Sequence, residues 1–581
     1  MDKFQLKEPA KPYDVIIVGS GAGGGMAGYT LSRAGARVLV LEAGQHYDPA
    51  DPKYITQLKW PYQSPRRGAA TKTRYFGDFD AAYGGWELEG EPYTTKDDTK
   101  FKWFRSRMTG GRTNHWGRIS LRFGPDDFKR KSIDGLGEDW PISYQDVAPY
   151  YDKVDKLIGV FGSVENLPND PDSIFLPPPK PRLHELMLMK GNKNLGVKTI
   201  PSRLSILTQP INDERGSCFY CNQCYRGCMA YADFSSSSCL VKPARKSGLE
   251  VINHAMVREV LTDEKTGLCT GVSYIDTLTM EEITVKGSIV ILAASACESA
   301  RLLLNSKSAR FPQGLANSSG VIGKYLHDST GASRGAIIPM LFDRKRYNED
   351  GVGGLHIYSP WWLDNKKLDF PRGYHIEYWG GMGMPAYGFG WGIEDTNGMF
   401  PGRDGLAKEA GGYGVSLKDD YRRFYGAYIG MAGRGEAMAF EDNYCEIDPE
   451  KIDKFGIPVL RFHYKWSDYE RLQAKHMHET FEQIIHEAGG IPLGNKPGKD
   501  ADYGLNAPGE IIHEVGTIRM GNDPNKSALN KWQQAHDVKN LFVVDAAPFV
   551  SQADKNVTWT ILALSMRACE FIIEERKAGR L

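Results

Sequence analysis

Residues 13–18, Tyr-Asp-Val-Ile-Ile-Val, form a short apolar run rich in β-branched residues. That pattern predicts a strand buried on both faces, as in a parallel sheet. A glycine-rich turn follows at once, and small and apolar residues over 25–34 then predict a helix. A second apolar run over 36–41 predicts another strand and ends in Glu42. The pattern returns late in the chain. Residues 541–544, Leu-Phe-Val-Val, predict a strand ending in Asp545, and 558–576 predict a helix that turns Ile561, Leu562, Leu564, Ile572 and Ile573 toward a core.

The turn between the first strand and helix places Gly19, Gly21 and Gly24 at G-x-G-x-x-G spacing. Gly19 permits the tight turn, Gly21 lets the backbone approach a pyrophosphate, and Gly24 allows the helix to pack closely on the strand. The helix N-terminus then turns its partial positive charge toward phosphate. Glu42 stands where a carboxylate can accept both ribose hydroxyls. Strand, glycines, helix, strand and acid in this order predict a dinucleotide site. They do not choose between FAD and NAD.

At 581 residues the chain is too long for one core, so several domains are expected. Lys plus Arg and Asp plus Glu both number 72, which gives no electrostatic reason to expect nucleic acid as a partner. No apolar run reaches the roughly 20 residues of a transmembrane segment. The first residues lack the apolar centre of a signal peptide, so the sequence reads as cytoplasmic.

Four of the nine cysteines, Cys218, Cys221, Cys224 and Cys228, give C-x2-C-x2-C-x3-C. This is the spacing of bacterial ferredoxin loops, where thiolates converge on an iron–sulfur core. Cys218, Cys224 and Cys228 would suffice for a 3Fe-4S cluster, and Cys221 or Cys239 could complete a 4Fe-4S one. A zinc site lacks its expected second pair, and a disulfide loop would strain neighbouring pairings. These readings remain alternatives.

Three further segments select the cofactor: Met-Thr-Gly-Gly-Arg-Thr-Asn-His-Trp-Gly-Arg over 108–118, the stretch 293–306 beginning Ala-Ala-Ser-Ala-Cys-Glu-Ser, and 513–560. With the glycine turn they resemble, in order, the glucose–methanol–choline (GMC) oxidoreductases, particularly catalytic subunits of FAD-dependent sugar and glucoside dehydrogenases. The resemblance implies an α/β fold. Its Rossmann-like FAD domain would be assembled from distant segments, beside an α+β substrate domain on a large mixed sheet. The expected divisions are 1–125, 211–330 and 505–581 for flavin binding, with the cysteine loop in the second of these. Residues 126–210 would connect, and 331–504 would form the substrate domain. The resemblance implies that His513 and Asn556 flank the flavin edge. A histidine there takes the hydroxyl proton as hydride leaves carbon, and a neutral amide holds the oxygen. It also implies flavin contacts at Gly110, Gly111, Asn114, His115, Val257, Asp545, Ala546 and Thr558. His115, in Thr-Asn-His-Trp, resembles a histidine joined covalently to flavin in pyranose oxidases.

The expected activity is oxidation of a secondary or anomeric alcohol of a sugar or glycoside, similar to a glucoside 3-dehydrogenase. Electrons would leave through the cluster to a cytochrome c-type acceptor. A small signal-bearing subunit is the expected partner, which would make the chain periplasmic by co-export. The alternative is a pyranose-oxidase-like enzyme reducing oxygen, with a structural cysteine loop. Between 361 and 395, Trp361, Trp362, Trp379, Trp391, Tyr374, Tyr378, Tyr387 and Phe389 suggest either an aromatic core strand with glycine turns or an aromatic mouth for a pyranose, with Arg372, Glu394 and Asp395 as hydroxyl ligands.

Overall fold

The computed structural model describes residues 12–51, 84–96, 99–222, 224, 227–345, 351–360, 368–381 and 414–581. The predicted first strand is β1 (Tyr13–Val18), the helix is α1 (Ala22–Arg33), and the second strand is β2 (Val38–Leu41). The helix begins three residues earlier than its apolar pattern suggests, because Ala22–Gly24 already carry helical backbone behind the Gly21 cap. The sheet continues with β3 (Glu250–Ile252), β4 (Ala255–Thr262), β5 (Cys269–Asp276) and β6 (Glu282–Leu292), which leads into α2 (Ala296–Asn305).

Strand β6 organises this sheet. Its first half pairs antiparallel with β5, and its second half pairs parallel with β1, Tyr13 opposite Gly287 and Val18 opposite Leu292. β1 pairs β2, and β2 pairs β3, both parallel. On the far side of β6, Leu541–Val543 adds a parallel strand, Val290 opposite Leu541. The apolar runs alternate across the sheet. Val15, Ile17, Val38, Val40, Ile289, Ile291 and Phe542 face one core, shared with Ala27 and Leu31 of α1. Ile16, Val18, Leu39, Leu41, Val290, Leu292 and Val543 face the other. A strand buried on both faces needs no polar alternation, which is why these segments read as continuous apolar runs.

A second, six-stranded sheet comprises β7 (Thr330–Ile337), β8 (Ile357–Ser359), β9 (Tyr374–Gly380), β10 (Tyr428–Gly435), Ile491–Pro492 and Ile200–Pro201. Its order runs 491–492, β7, β10, β9, β8, 200–201. The expectation of a mixed sheet is corrected here: every pairing among the described residues is antiparallel. Antiparallel neighbours accept a direct chain return, whereas a parallel pair requires a crossover. Helix α3 (Asp468–Glu487) packs on β7, and Ala474, Met477, Phe481 and Ile484 meet Ile337, Ile376, Tyr378 and Met431 in one core. The chain ends in β12, the late strand Leu541–Val543 (with Ile491–Pro492 counted as β11), and α4 (Thr558–Lys577). These two elements bring residues 513–558 back to the first sheet. No helix among the described residues is long and apolar enough to cross a membrane.

Candidate active site

The strands β1, β2, β6 and β12 all end at one cavity of about 750 Å³. Gly19, Glu42, Ala293 and Asp545, each just past a strand C-terminus, line it. Ligands of open α/β sheets bind at this end.

The three glycines divide the work as their spacing suggests. Gly19 has φ +95°, and a Cβ there would lie 2.5 Å from the carbonyl oxygen of Ala293. A Cβ on Gly24 would lie 2.0 Å from the Gly19 oxygen, and one on Gly23 2.1 Å from the Val544 oxygen. A Cβ on Gly21 would meet nothing within 4 Å and would project from the cavity wall. Gly21 therefore stays bare for what enters the cavity, while Gly23 and Gly24 stay bare for packing.

Glu42 is buried, and burial pushes its carboxyl pKa up against hydrogen bonds from Ser20 and Gly44. Its Oε2 accepts from the Ser20 amide at 3.1 Å and the Ser20 hydroxyl at 2.5 Å, and Oε1 accepts from the Gly44 amide at 2.9 Å. The same Ser20 Oγ accepts from the Gly110 amide at 2.9 Å. Glu42 thus braces the glycine turn and the 108–118 segment as well as facing the cavity. A bare Gly21 beside the N-terminus of α1 and a buried carboxylate on the next strand fit the pyrophosphate and ribose of FAD.

Gly111, His115, Val257, Ala546 and Thr558 also line the cavity. Gly24, Gly110 and Asn114 do not. Asn114 is buried and donates to the Thr109 and Gly111 carbonyls at 2.9 and 3.0 Å, so it shapes the turn that presents Gly111. His115 sits with Nε2 3.0 Å from Ser106 Oγ and its ring edge-on to Phe104. Asp545 accepts from the Ser295 and Ala547 amides and the Ser299 hydroxyl, and burial still raises its pKa to about 6.

At the cavity's other end, His513 and Asn556 come together from segments 43 residues apart, with Asn556 Nδ2 3.3 Å from His513 Nε2. His513 Nδ1 lies 3.0 Å from Ser329 Oγ, which also accepts from Gln552 Nε2. With Asn556 donating to Nε2, Nδ1 carries the ring proton and Nε2 is the unprotonated nitrogen. Burial, and after it the Arg434 charge, lowers the His513 pKa to about 3, so the ring is neutral at physiological pH. The backbone amide of His513 donates to Asp328 Oδ1 at 2.9 Å. Burial and the neighbouring Glu514 raise the Asp328 pKa to about 8. Glu514 in turn pairs with Arg112 of the 108–118 segment.

Sequence reasoning missed Ser329, Gln552, Glu377 and Arg434, which no motif marks. Arg372, expected to bind a sugar, is buried and paired with Asp134 and Glu436, because its strand edge faces other charged side chains rather than the cavity. Trp379 does line the cavity. Trp361, Trp362, Tyr387, Phe389, Trp391, Glu394 and Asp395 lie outside the described residues.

The cysteine loop lies against the same wall. Asn222, within the loop, and Gly353–Leu355 beside it line the cavity, and Arg118 Nη2 donates to the Cys224 carbonyl at 3.1 Å. None of the four cysteines forms a disulfide; Cys224 and Cys228 are buried. Burial raises Cys218 to about 11 and Cys228 to about 12. Among the described residues no three His, Cys, Asp or Glu side chains converge as a metal site requires. The expected convergence of Cys218, Cys221, Cys224 and Cys228 is therefore not the arrangement found. Short spacing alone does not converge thiols: Cys224 packs among Ile119, Leu121, Leu204 and Val352, and Cys218 accepts from the Tyr220 amide at 3.4 Å.

A dinucleotide cradle joined through one cavity to a neutral histidine is the arrangement of a nucleotide-dependent oxidoreductase. The chain belongs to the GMC oxidoreductase family: the N-terminal family model matches residues 22–330 and the C-terminal model residues 440–565. It is similar to 2-methyl-1,2-propanediol dehydrogenase of Mycolicibacterium austroafricanum, 28% identical over 96% of this chain and 95% of that protein. It is also 28% identical to the fructose dehydrogenase large subunit of Gluconobacter japonicus, over 97% and 98% of the two chains. A variant of Aspergillus oryzae formate oxidase shares the fold, with TM-score 0.66, 14% identity, and 98% and 99% coverage. Family members bind FAD, and this chain is an oxidoreductase acting on CH–OH donors.

Proposed function

We propose that this chain is an FAD-dependent dehydrogenase oxidising a secondary or anomeric alcohol of a sugar or glycoside, in the manner of a glucoside 3-dehydrogenase. The observation that carries the reading is the His513–Asn556 pair on the wall of the cavity that also holds Gly21 and Glu42. FAD, when bound, accepts the hydride. The protein's own part is proton removal and orientation. His513 Nε2 takes the hydroxyl proton as the C–H bond breaks, and Nδ1–H on Ser329 fixes the ring. Asn556 shares the position and holds the oxygen without adding charge. Its Nδ2, which lies 3.3 Å from His513 Nε2, would donate to the substrate oxygen instead and so free the Nε2 lone pair for the hydroxyl proton.

The names of the relatives support a sugar or small polyol as donor, and the name "large subunit" supports a partner subunit. An iron–sulfur cluster on the cysteine loop is the proposed exit for electrons toward a cytochrome-type acceptor. Its support is the thiol spacing and the loop's place beside the 115–119 wall. The metal-free thiols do not fit a cluster as arranged, so no step is derived through one.

The test is anaerobic reduction of bound flavin by alcohols. His513→Ala should retain flavin and reduce it at least about a hundredfold more slowly, the scale of losing a general base. Near-normal reduction would remove His513 from the reaction.

A further inference from the structure

Strand β9 alternates strictly. Tyr374, Ile376 and Tyr378 point into the core under α3, so His375, Glu377 and Trp379 share the opposite face. On the neighbouring β10, Ile429 and Met431 point into the same core, which leaves Gly430, Ala432 and Arg434 beside His375, Glu377 and Trp379. Two small residues on β10 leave room there, and a Cβ on Gly430 would lie 2.2 Å from the Trp379 ring. Glu377, Trp379 and Arg434 line the cavity together with His513, and Glu377 and Arg434 both act electrostatically on it.

The pairing of these charges is incomplete. Glu377 is 7% exposed, and its Oε1 lies 3.2 Å from His375 Nε2. Its Oε2 faces Arg434 Nε at 3.6 Å, beyond a hydrogen bond. Arg434 Nη1 donates to the Gly433 carbonyl at 3.2 Å, and Nη2 has no acceptor among the described residues. His375 Nδ1 is 2.6 Å from the Asp554 carbonyl oxygen, and this contact anchors the set. A buried carboxylate and a partly exposed guanidinium, its side chain 21% exposed, thus stand side by side as an ion pair on the wall shared with the base, with neither Oε2 nor Nη2 hydrogen-bonded among the described residues. A hydroxyl entering the cavity can bridge the two and add a hydrogen bond to each charge, which the 3.6 Å contact does not supply.

We propose that Glu377 and Arg434 jointly hold a second hydroxyl of the substrate, so that the site selects a neutral polyol bearing a hydroxyl next to the carbinol it oxidises. The hydroxyl donates to Glu377 Oε2 and accepts from Arg434 Nη2. The opposite charges of the pair cancel, so a polyol needs no charge of its own to fit. These are binding residues; the proton still leaves through His513. The proposal rests on the alcohol-oxidation reading.

The experiment measures kcat/KM with the FAD-loaded enzyme and an artificial one-electron acceptor. Methyl β-glucoside is compared with its monodeoxy forms, and 1,2-propanediol with 1-propanol and 2-propanol. In the wild type, removing the neighbouring hydroxyl should lower kcat/KM by roughly tenfold to a hundredfold, because it removes two hydrogen bonds to charged partners. In Arg434→Met and Glu377→Gln that ratio should shrink to within about threefold, with the parent's KM raised more than kcat is lowered. A merely structural role would slow all substrates alike and leave the ratio intact, which would overturn the proposal. Should Arg434→Met lose flavin, Arg434→Lys and the wild-type ratio still decide. Flavin reduction with parent and deoxy compounds equal in the wild type overturns this inference alone. No flavin reduction by any parent overturns the alcohol-oxidation reading and this inference with it.

Discussion

Gly21→Ala and Gly24→Ala should separate flavin binding from folding. At Gly21 the backbone is φ −63°, ψ −158°, open to any L-residue, and a Cβ meets nothing within 4 Å. The apoprotein should therefore fold as before, with at most a gain of about 0.4–1 kcal/mol from a stiffer unfolded chain. The added methyl occupies the space in which the backbone approaches the pyrophosphate. Losing two hydrogen bonds to a charged group costs about 3 kcal/mol or more, equivalent to a rise of at least roughly a hundredfold in the FAD dissociation constant. At Gly24 the signs reverse. Alanine gains about 1 kcal/mol of helix propensity, but its Cβ would sit 2.0 Å from a backbone oxygen that no side-chain rotation can move. Overpacking of this kind costs about 1–3 kcal/mol, so the net effect is destabilisation of the sheet–helix contact itself. The assay is FAD titration by fluorescence quenching, alongside thermal unfolding of both apoproteins. Gly21→Ala binding FAD as tightly as wild type, or Gly24→Ala melting at the wild-type temperature, would refute the division of roles.

Three other outcomes are expected. If His115 is bonded to flavin, acid precipitation should leave the pellet yellow; FAD released to the supernatant would exclude the bond. If the cysteine loop carries a cluster, anaerobically purified protein should contain iron, and Cys224→Ser should lose it and cytochrome reduction while flavin reduction by substrate persists; zinc without iron would end the proposal. Folding stability should peak near pH 7. Burial holds His184 and His513 at about 3 and His327, His356 and His478 at about 4, so below 6.5 the unfolded chain takes up protons that the folded one refuses, and stability falls. Asp328, raised to about 8, and Asp545, raised to about 6, act oppositely and lose their contribution as pH rises through those values. Five histidines less two carboxyls leave an uptake of roughly three protons on unfolding at pH 5. Denaturation midpoints that stay flat from pH 5 to 7 would contradict this.

Three strands of the first sheet, β1, β2 and β12, were legible because their physics is local, whereas β3 to β6 carried no motif that predicted them. β1 lies where the apolar run places it, and β12 and α4 agree with prediction to within a residue or two. Each glycine in the turn answers to a contact a few residues away or to one strand end. The antiparallel second sheet was not legible. Its core face and its cavity face are both buried, so the polar positions of β9, His375 and Glu377, read in sequence as an ordinary solvent face rather than as residues that look into the site. Arg372 and Arg434 illustrate the consequence. Both are arginines on or beside this sheet, and both look equally available in sequence. One is closed off by Asp134 and Glu436, and the other opens on the cavity beside Glu377. Only the register between β9 and β10 distinguishes them, and register is set by long-range packing.

The same argument bears on the cysteines. A ligand spacing in sequence states which thiols can converge, not that they do. Here the loop spends two of its thiols on burial: Cys224 packs among aliphatic side chains, and Cys228 is held protonated near 12. A metal would have to overcome that packing and displace those protons, since only thiolates ligate. The proposed catalytic pair, His513 and Asn556, faces no such competition. His513 is kept neutral by the burial that a base in a closed cavity requires, and its ring is fixed by Ser329 and its backbone by Asp328 before any ligand arrives. The two motifs, equally plain in sequence, thus differ in preorganisation. The groups proposed for alcohol oxidation are held in place by the folded chain, whereas the described thiols are not arranged around one point.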